Sequence, residues 1–291
     1  MVEGAAFRYR EIIAEHTKHQ ADAWFFRPYW GIRATAEAAG LADRARQFLP
    51  RMPEGAFFSH QTAARLWGLP LPWPLDVDLA LHVSVPNSRR AIDTLDAVGH
   101  KAAIGADHVR TLDGLPVSSP HRVWRELGSR TALPGAVALG GAIVRLGLAT
   151  RDQLARHAEV LGLRGRRTLA AAAPMIDERA ESIPESLLRV ALVSAGLPAL
   201  LVNEDLLDDD GRFVARPDLR FRDFRLVVEY DGDGHRTDRA QWRKDVHRFG
   251  AIEDLGFGVI RATADDLPRF AATVERIRHR LTRLGWRPSA R

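Results

Sequence analysis

Leu226-Val227-Val228-Glu229-Tyr230-Asp231-Gly232 runs from three apolar residues into two carboxylates and a glycine, and its reading decides the fold of the C-terminal third. A short valine-rich run that ends at a glycine is the pattern of a buried strand. In an extended strand alternate side chains share a face, so Glu229 and Asp231 point the same way. Upstream, Phe213 to Phe221 reads as a second strand carrying Pro217-Asp218, with Arg222-Asp223 as a tight polar turn between the two. A two-residue turn sets Asp218 opposite Val227, on the same face as Glu229 and diagonal to it. Carboxylates gathered this closely repel one another, and a divalent cation is the usual way to keep them ionised. An all-oxygen ligand set favours Mg²⁺ or Mn²⁺ over Zn²⁺.

The pattern continues on both sides of that hairpin. Ser182 and Pro184 begin a helix with Glu185 near its start, the proline fitting the first turn, where its missing N–H costs little. Leu187, Leu188, Ala191, Leu192 and Ala195 recur at helical spacing, and Gly196 stops the helix. A short strand near Leu200 to Asp205 leads to Asp208-Asp209-Asp210-Gly211, which lacks the ligand spacing of a calcium loop and reads as a plain turn. After Gly232-Asp233-Gly234 comes a helix from about Asp238 to Asp254, with Trp242, Val246 and Phe249 on one side and the two aromatics read as core. A strand from Phe257 to Ala262 and a helix from Asp266 to Leu284 finish the chain. The order is α-β-β-β-α-β-α. It predicts an α/β core with a mixed central sheet behind a mixed, largely helical N-terminal part, α+β overall.

Pro217-Asp218 and then Glu229-Tyr230-Asp231-Gly232, behind a helix that carries Glu185, resembles the core of the PD-(D/E)XK nuclease superfamily. More narrowly it resembles the Vsr-like endonuclease domain known as DUF559, whose acidic strand reads E-x-D-G and is followed by a histidine, here His235. Trp242-Arg243-Lys244-Asp245-Val246-His247-Arg248 and Leu255-Gly256-Phe257-Gly258-Val259-Ile260-Arg261 match that group as well, and the resemblance covers about Glu181 to Leu284. It implies a restriction-endonuclease-like fold and Mg²⁺-dependent cleavage of nucleic-acid phosphodiesters, with DNA as the expected partner. Asp218, Glu229 and Asp231 become the implied metal ligands, and Glu185 a further acid of the site. One departure matters: the signature lysine, two positions after the second acid, is replaced by Asp231. That lysine orients the attacking water or offsets charge on the phosphate. Lys244 on the next helix and His235 as a proton shuttle are the candidates to take over. Arg239, Arg243, Lys244 and Arg248 spread positive charge along that helix, phosphate contacts in a nuclease and a solvated face otherwise. Many superfamily nucleases cut as dimers, so a homodimer stays open.

The N-terminal half is less readable. A helix from Arg8 to His19, an aromatic segment from Trp24 to Arg33 and a helix from Thr35 to Phe48 suggest a degenerate winged-helix module over 1–50, with Phe25 to Arg33 as its wing. Strands are expected at Leu79 to Val85 and near Val109 to Leu115, and helices from Arg122 to about Arg179. Ser59-His60-Gln61-Thr62-Ala63-Ala64-Arg65-Leu66-Trp67-Gly68-Leu69-Pro70, with Asp113-Gly114-Leu115-Pro116-Val117-Ser118-Ser119-Pro120-His121-Arg122-Val123-Trp124, resembles the region found in AbiEi-type antitoxin-like proteins. Three parts follow: 1–50, an AbiEi-like 51–179 and a nuclease-like 180–291. The alternative to an enzyme is an antitoxin-like DNA-binding regulator whose nuclease fold has lost its chemistry.

Bulk properties narrow the classes. The 291 residues are 46% hydrophobic and 27% charged, which excludes a disordered chain. The net charge of +5 is carried almost wholly by arginine, since Lys18, Lys101 and Lys244 are the only lysines; arginine forks suit phosphate. With no cysteine, disulfides and thiolate zinc sites are excluded. No apolar run reaches the roughly 18 residues of a membrane span, and the N-terminus, with Glu3, does not read as a secretory signal. A cytoplasmic protein without a membrane partner is the expectation.

Overall fold

The structure, a computed structural model, describes residues 5–159, 164–232 and 239–288. The chain is α+β and divides into two compact units, 1–130 with 156–165, and 131–155 with 166–291.

The first unit opens with β1 (Ala6–Arg8), α1 (Tyr9–Glu15), α2 (Lys18–Trp24), β2 (Ile32–Ala34) and α3 (Leu41–Phe48), β1 pairing antiparallel with β2. The helix expected from Arg8 to His19 is therefore two helices. The Thr17 hydroxyl accepts the Gln20 amide and the Gln20 side chain accepts the Thr17 amide, a reciprocal cap that starts a new helix where the old one would have run on. The expected wing reduces to β2 and one bridge, Phe26 to Ala34. Then come β3 (Phe57–Phe58), α4 (His60–Leu66), β4 (Leu81–Pro86), β5 (Asp93–Thr94), β6 (Ala97–Ala102), β7 (Val109–Leu112), β8 (Leu115–Ser118) and α5 (Pro120–Gly128). The last six strands form one mixed sheet in the order β5-β6-β4-β3-β8-β7. β4 is buried on both sides, Leu81, Val83 and Val85 alternating with His82 and Ser84. The single strand expected near Val109 to Leu115 is a hairpin. Asp113-Gly114 turns it with φ of 47° and 81°, the left-handed pair that a two-residue Asp-Gly turn needs.

The second unit contains α6 (Leu133–Arg145), the start of α7 (Arg151–Ala158), α8 (Arg166–Ala172) and α9 (Ile183–Ser194). They are followed by β9 (Leu200–Val202), β10 (Leu206–Leu207), β11 (Phe213–Ala215), β12 (Leu219–Phe221), β13 (Leu226–Asp231), α10 (Arg239–Asp254), β14 (Gly258–Thr263) and α11 (Phe270–Arg283). α6 is apolar around most of its circumference and packs on α8 and α9, so the boundary expected at 179/180 moves back along the chain. The sheet runs β14-β13-β12-β9, β13 parallel to β14 and β12 antiparallel to both its neighbours. The α-β-β-β-α-β-α order stands, with a β10–β11 ribbon added. Phe213 to Phe221 is two strands rather than one, broken at Pro217, which has no N–H to give a ladder. Along β13, Leu226 and Val228 join the core with Leu188, Leu192 and Ile277, while Val227 packs against Ile252 and Phe249 of α10. Glu229 and Asp231 share the Val227 face by alternation. Phe249 is core as expected, the Trp242 side chain lies outside the described residues, and Val246 is exposed. Among the described residues no helix is long and apolar enough to cross a membrane.

Candidate active site

Leu219 of β12 lies opposite Val228 of β13, and this register carries on to set Asp218 opposite Glu229. The expectation was Asp218 opposite Val227. The connection takes four residues, Arg222 to Arg225, rather than two, which slides the pairing and brings the two acids directly across from each other on one face. Asp218 stands just before β12 begins, and its Oδ2 accepts the Tyr230 amide at 2.7 Å, filling the ladder position that the strand does not reach.

Glu185 joins from the first turn of α9. Ser182 caps that helix, its hydroxyl accepting the Glu185 amide at 3.2 Å. The Glu185 carboxylate accepts the Glu181 amide at 2.9 Å and the Asn203 side-chain amide at 3.0 Å. Asn203 also donates its backbone N–H to the Asp218 carbonyl at 3.0 Å, from a left-handed φ of 45° that asparagine tolerates better than most residues. One residue after β9 thus ties Glu185 to the Asp218 strand. Nothing in the local sequence pattern marked it.

These acids share a cavity of about 530 Å³ lined by Glu185, Asp218, Glu229, Asp231, Asp245 and Arg248. Burial raises the Asp218 carboxyl to about 6, helped by Glu185 and opposed by the Tyr230 amide and Arg248. Burial likewise raises Glu229 to about 8, helped by Asp218 and opposed by Arg248. Each group costs more to ionise here than in water, and the Asp218 charge makes that of Glu229 dearer still.

The remaining expected residues sort differently. Asp231 keeps the expected face and lines the same cavity, but its carboxylate forms an ion pair with Arg261 of β14. Arg248, expected among phosphate contacts, reaches into the cavity: its guanidinium lies 3.2 Å from Glu229 Oε2 and 3.9 Å from Asp245 Oδ1, and its Nε is buried without a hydrogen-bond partner. Asp245 was not singled out from the sequence; its position three residues before Arg248 on one helix face was the available signal. Arg239, Arg243 and Lys244 fall on α10, but their side chains lie outside the described residues, as does all of His235.

Asp218 and Glu229 are the pair that fits a divalent cation. They are all-oxygen donors, adjacent and buried, each pushed toward its protonated form, a shift that a bound cation would oppose, and Mg²⁺ is commonly bound by one or two carboxylates with water and phosphate completing its shell. The cavity is not a closed cage of three acids. Among the described residues, the triads whose donor atoms all fall within 4.8 Å of one another are His60/His82/His100 and Asp107/His121/His157, both in the first unit.

Two proteins of Mycobacterium tuberculosis, from different strains and each named an uncharacterized protein, are 27% identical to this chain over 211 residues, spanning 72% of this chain and 74% of their own. No family model and no solved structure matches the chain.

Proposed function

We propose that the second unit is a metal-dependent nuclease that hydrolyses phosphodiester bonds, with DNA as substrate. The observation that carries this is the opposed pair Asp218 and Glu229, on adjacent strands in one cavity, with both carboxyls pushed up in pKa. Asp218 and Glu229 would hold Mg²⁺ or Mn²⁺. A bound ion of this kind supplies charge for a phosphate oxygen and a water of lowered pKa. Glu185, fixed through Asn203, adds negative charge beside Asp218 and holds the strand ends together. Arg248 supplies the positive charge that the missing signature lysine would have brought, its guanidinium standing beside Glu229 in the cavity. The test is nicking of supercoiled plasmid in Mg²⁺ by the protein and by an Asp218→Asn, Glu229→Gln double variant. Equal nicking by both would discard the proposal.

A specific observation favours the second reading, an antitoxin-like DNA-binding regulator. Arg248 already stands against Glu229 and Arg261 is already paired with Asp231, so cations of the chain itself occupy places that a metal ion would take. In the first unit a cavity of about 900 Å³ is lined by Arg8, Arg10, Arg27, Arg33 and Arg51 beside the exposed Trp30, a surface suited to phosphates. This reading expects salt-sensitive binding to a particular DNA sequence in chelator, with no cleavage when Mg²⁺ is added. A gel shift blind to sequence would count against it.

A further inference from the structure

The first unit holds a second ligand set that the proposed nuclease does not use. Asp107 and His108 lie between β6 and β7, His121 is the second residue of α5, and His157 lies in the last turn of α7, all within the first compact unit. Nε2 of His121 is 3.4 Å, and Nε2 of His157 is 3.6 Å, from the same Asp107 oxygen, Oδ2. Both separations are long for a hydrogen bond. Two ligand atoms each about 2.05 Å from one tetrahedral ion stand about 3.4 Å apart, which is the spacing found here.

His108 lies near the other oxygen of that carboxylate. Its Nδ1 accepts the Gly105 amide at 2.9 Å and faces an Arg122 N–H at 2.9 Å; both partners can only donate. Its Nε2 faces an Arg125 N–H at 3.4 Å and lies 3.7 Å from Asp107 Oδ1, too far for a hydrogen bond, so His108 packs beside the carboxylate among arginine donors.

The donors suit one class of ion. One carboxylate and two imidazoles disfavour a hard, charge-driven ion and leave the late first-row divalent ions that imidazole binds well. The Asp107 side chain is 63% exposed, which gives an entry path and room for water ligands. The Ser119 hydroxyl, 2.9 Å from Nε2 of His121, is a contact that ligation would break. The two rings stack 9° from parallel with centroids 3.9 Å apart, so sharing an ion turns one of them out of the stack, and His157 is the less buried.

The other histidine triad offers less. His82 Nδ1 and His100 Nε2 are 2.9 Å apart in rings 9° from parallel, and His82 Nε2 lies 2.9 Å from Asp78. Its donors are spent on a hydrogen-bonded chain.

We propose that Asp107, His121 and His157 form a two-histidine, one-carboxylate site for a late first-row divalent ion, open to solvent at Asp107. Zn²⁺ is the probe. Full-length protein carrying Asp218→Asn and Glu229→Gln, so that the acidic cavity cannot contribute, is stripped with chelator and titrated with Zn²⁺, with Co²⁺ absorption reporting the ligand field. The expected result is one ion per chain and a higher Tm on binding. His157→Ala and Asp107→Asn should each weaken binding by more than tenfold. His100→Ala should leave it unchanged. Asp107 is exposed, so its variant decides the matter if a histidine variant fails to fold. No uptake at micromolar Zn²⁺, or uptake unaffected by Asp107→Asn and His157→Ala, would overturn the site. Neither outcome bears on cleavage by the second unit.

Discussion

The acidic cavity of the second unit and the histidine cluster of the first both bury groups that water would solvate better, and they resolve the cost in opposite directions. Burial drives Asp218 and Glu229 up and His121 and His157 down, so each cluster moves toward its uncharged form. The consequences for ligands differ. A neutral carboxyl must lose a proton before it binds a cation, so the acidic cavity trades protons for a hard ion. A neutral imidazole already presents its lone pair, so the histidine cluster selects by donor softness and geometry.

The largest expected effect breaks the comparison at the acids. Asp218→Asn or Glu229→Gln should lower plasmid nicking on the order of a hundredfold or more, the usual scale for removing a group that stabilises developing charge. Zn²⁺ uptake by the first unit should be untouched. A variant that loses both would show that the two clusters are not independent.

The two clusters also differ in how far the sequence gives them away. Glu229 and Asp231 sit two apart on one strand, so the period of the strand alone puts them on one face. Asp218 is reached by counting round one hairpin, and even there a turn of four residues rather than two changed its partner. Asp107, His121 and His157 come from a loop and two helices, at intervals that match no helical or strand period. Only tertiary packing brings them together, so no motif could announce them. The same limit hid Asn203 and the inward turn of Arg248. Pro217, which breaks a strand, and Asp113-Gly114, which turns a hairpin, are local signals that the apolar runs Phe213 to Phe221 and Val109 to Leu115 overrode in the sequence reading.

A second test sharpens the role of Arg248. If it meets the phosphate, Arg248→Met lowers nicking about tenfold, the low end for a charge-stabilising contact. If it plugs the cavity by pairing with Glu229, the same change raises Mg²⁺ affinity and activity. Parallel Mg²⁺ titrations of nicking separate the two.

The raised carboxyls carry a stability signature with a definite sign. A Glu229 carboxyl near 8 in the fold and 4.5 unfolded binds its proton more tightly when folded. That contribution is whole below pH 4.5 and lost as pH rises through about 8; Asp218 adds a loss between 3.8 and about 6. In chelator the protein should therefore lose stability from pH 4 to 8. Glu229→Gln should be the more stable form at pH 8 by about 1–2 kcal/mol, and Mg²⁺ should restore the wild type. Urea melts across that range measure it, and wild-type stability that climbs with pH would contradict the buried-acid description.

The smallest effect is expected at Asp231, and it discriminates most finely. Shared strand face argued for a third metal ligand, yet its carboxylate is paired with a half-exposed Arg261 on the neighbouring strand. A partly solvated ion pair is worth about 0–1 kcal/mol, so Asp231→Asn should change stability by no more than that. It should also change nicking by less than about threefold, a shift of about 0.6 kcal/mol in barrier height. A fall matching that of Asp218→Asn would mean that Arg261 releases Asp231 when substrate and ion arrive, and that the acidic site closes around three carboxylates rather than two.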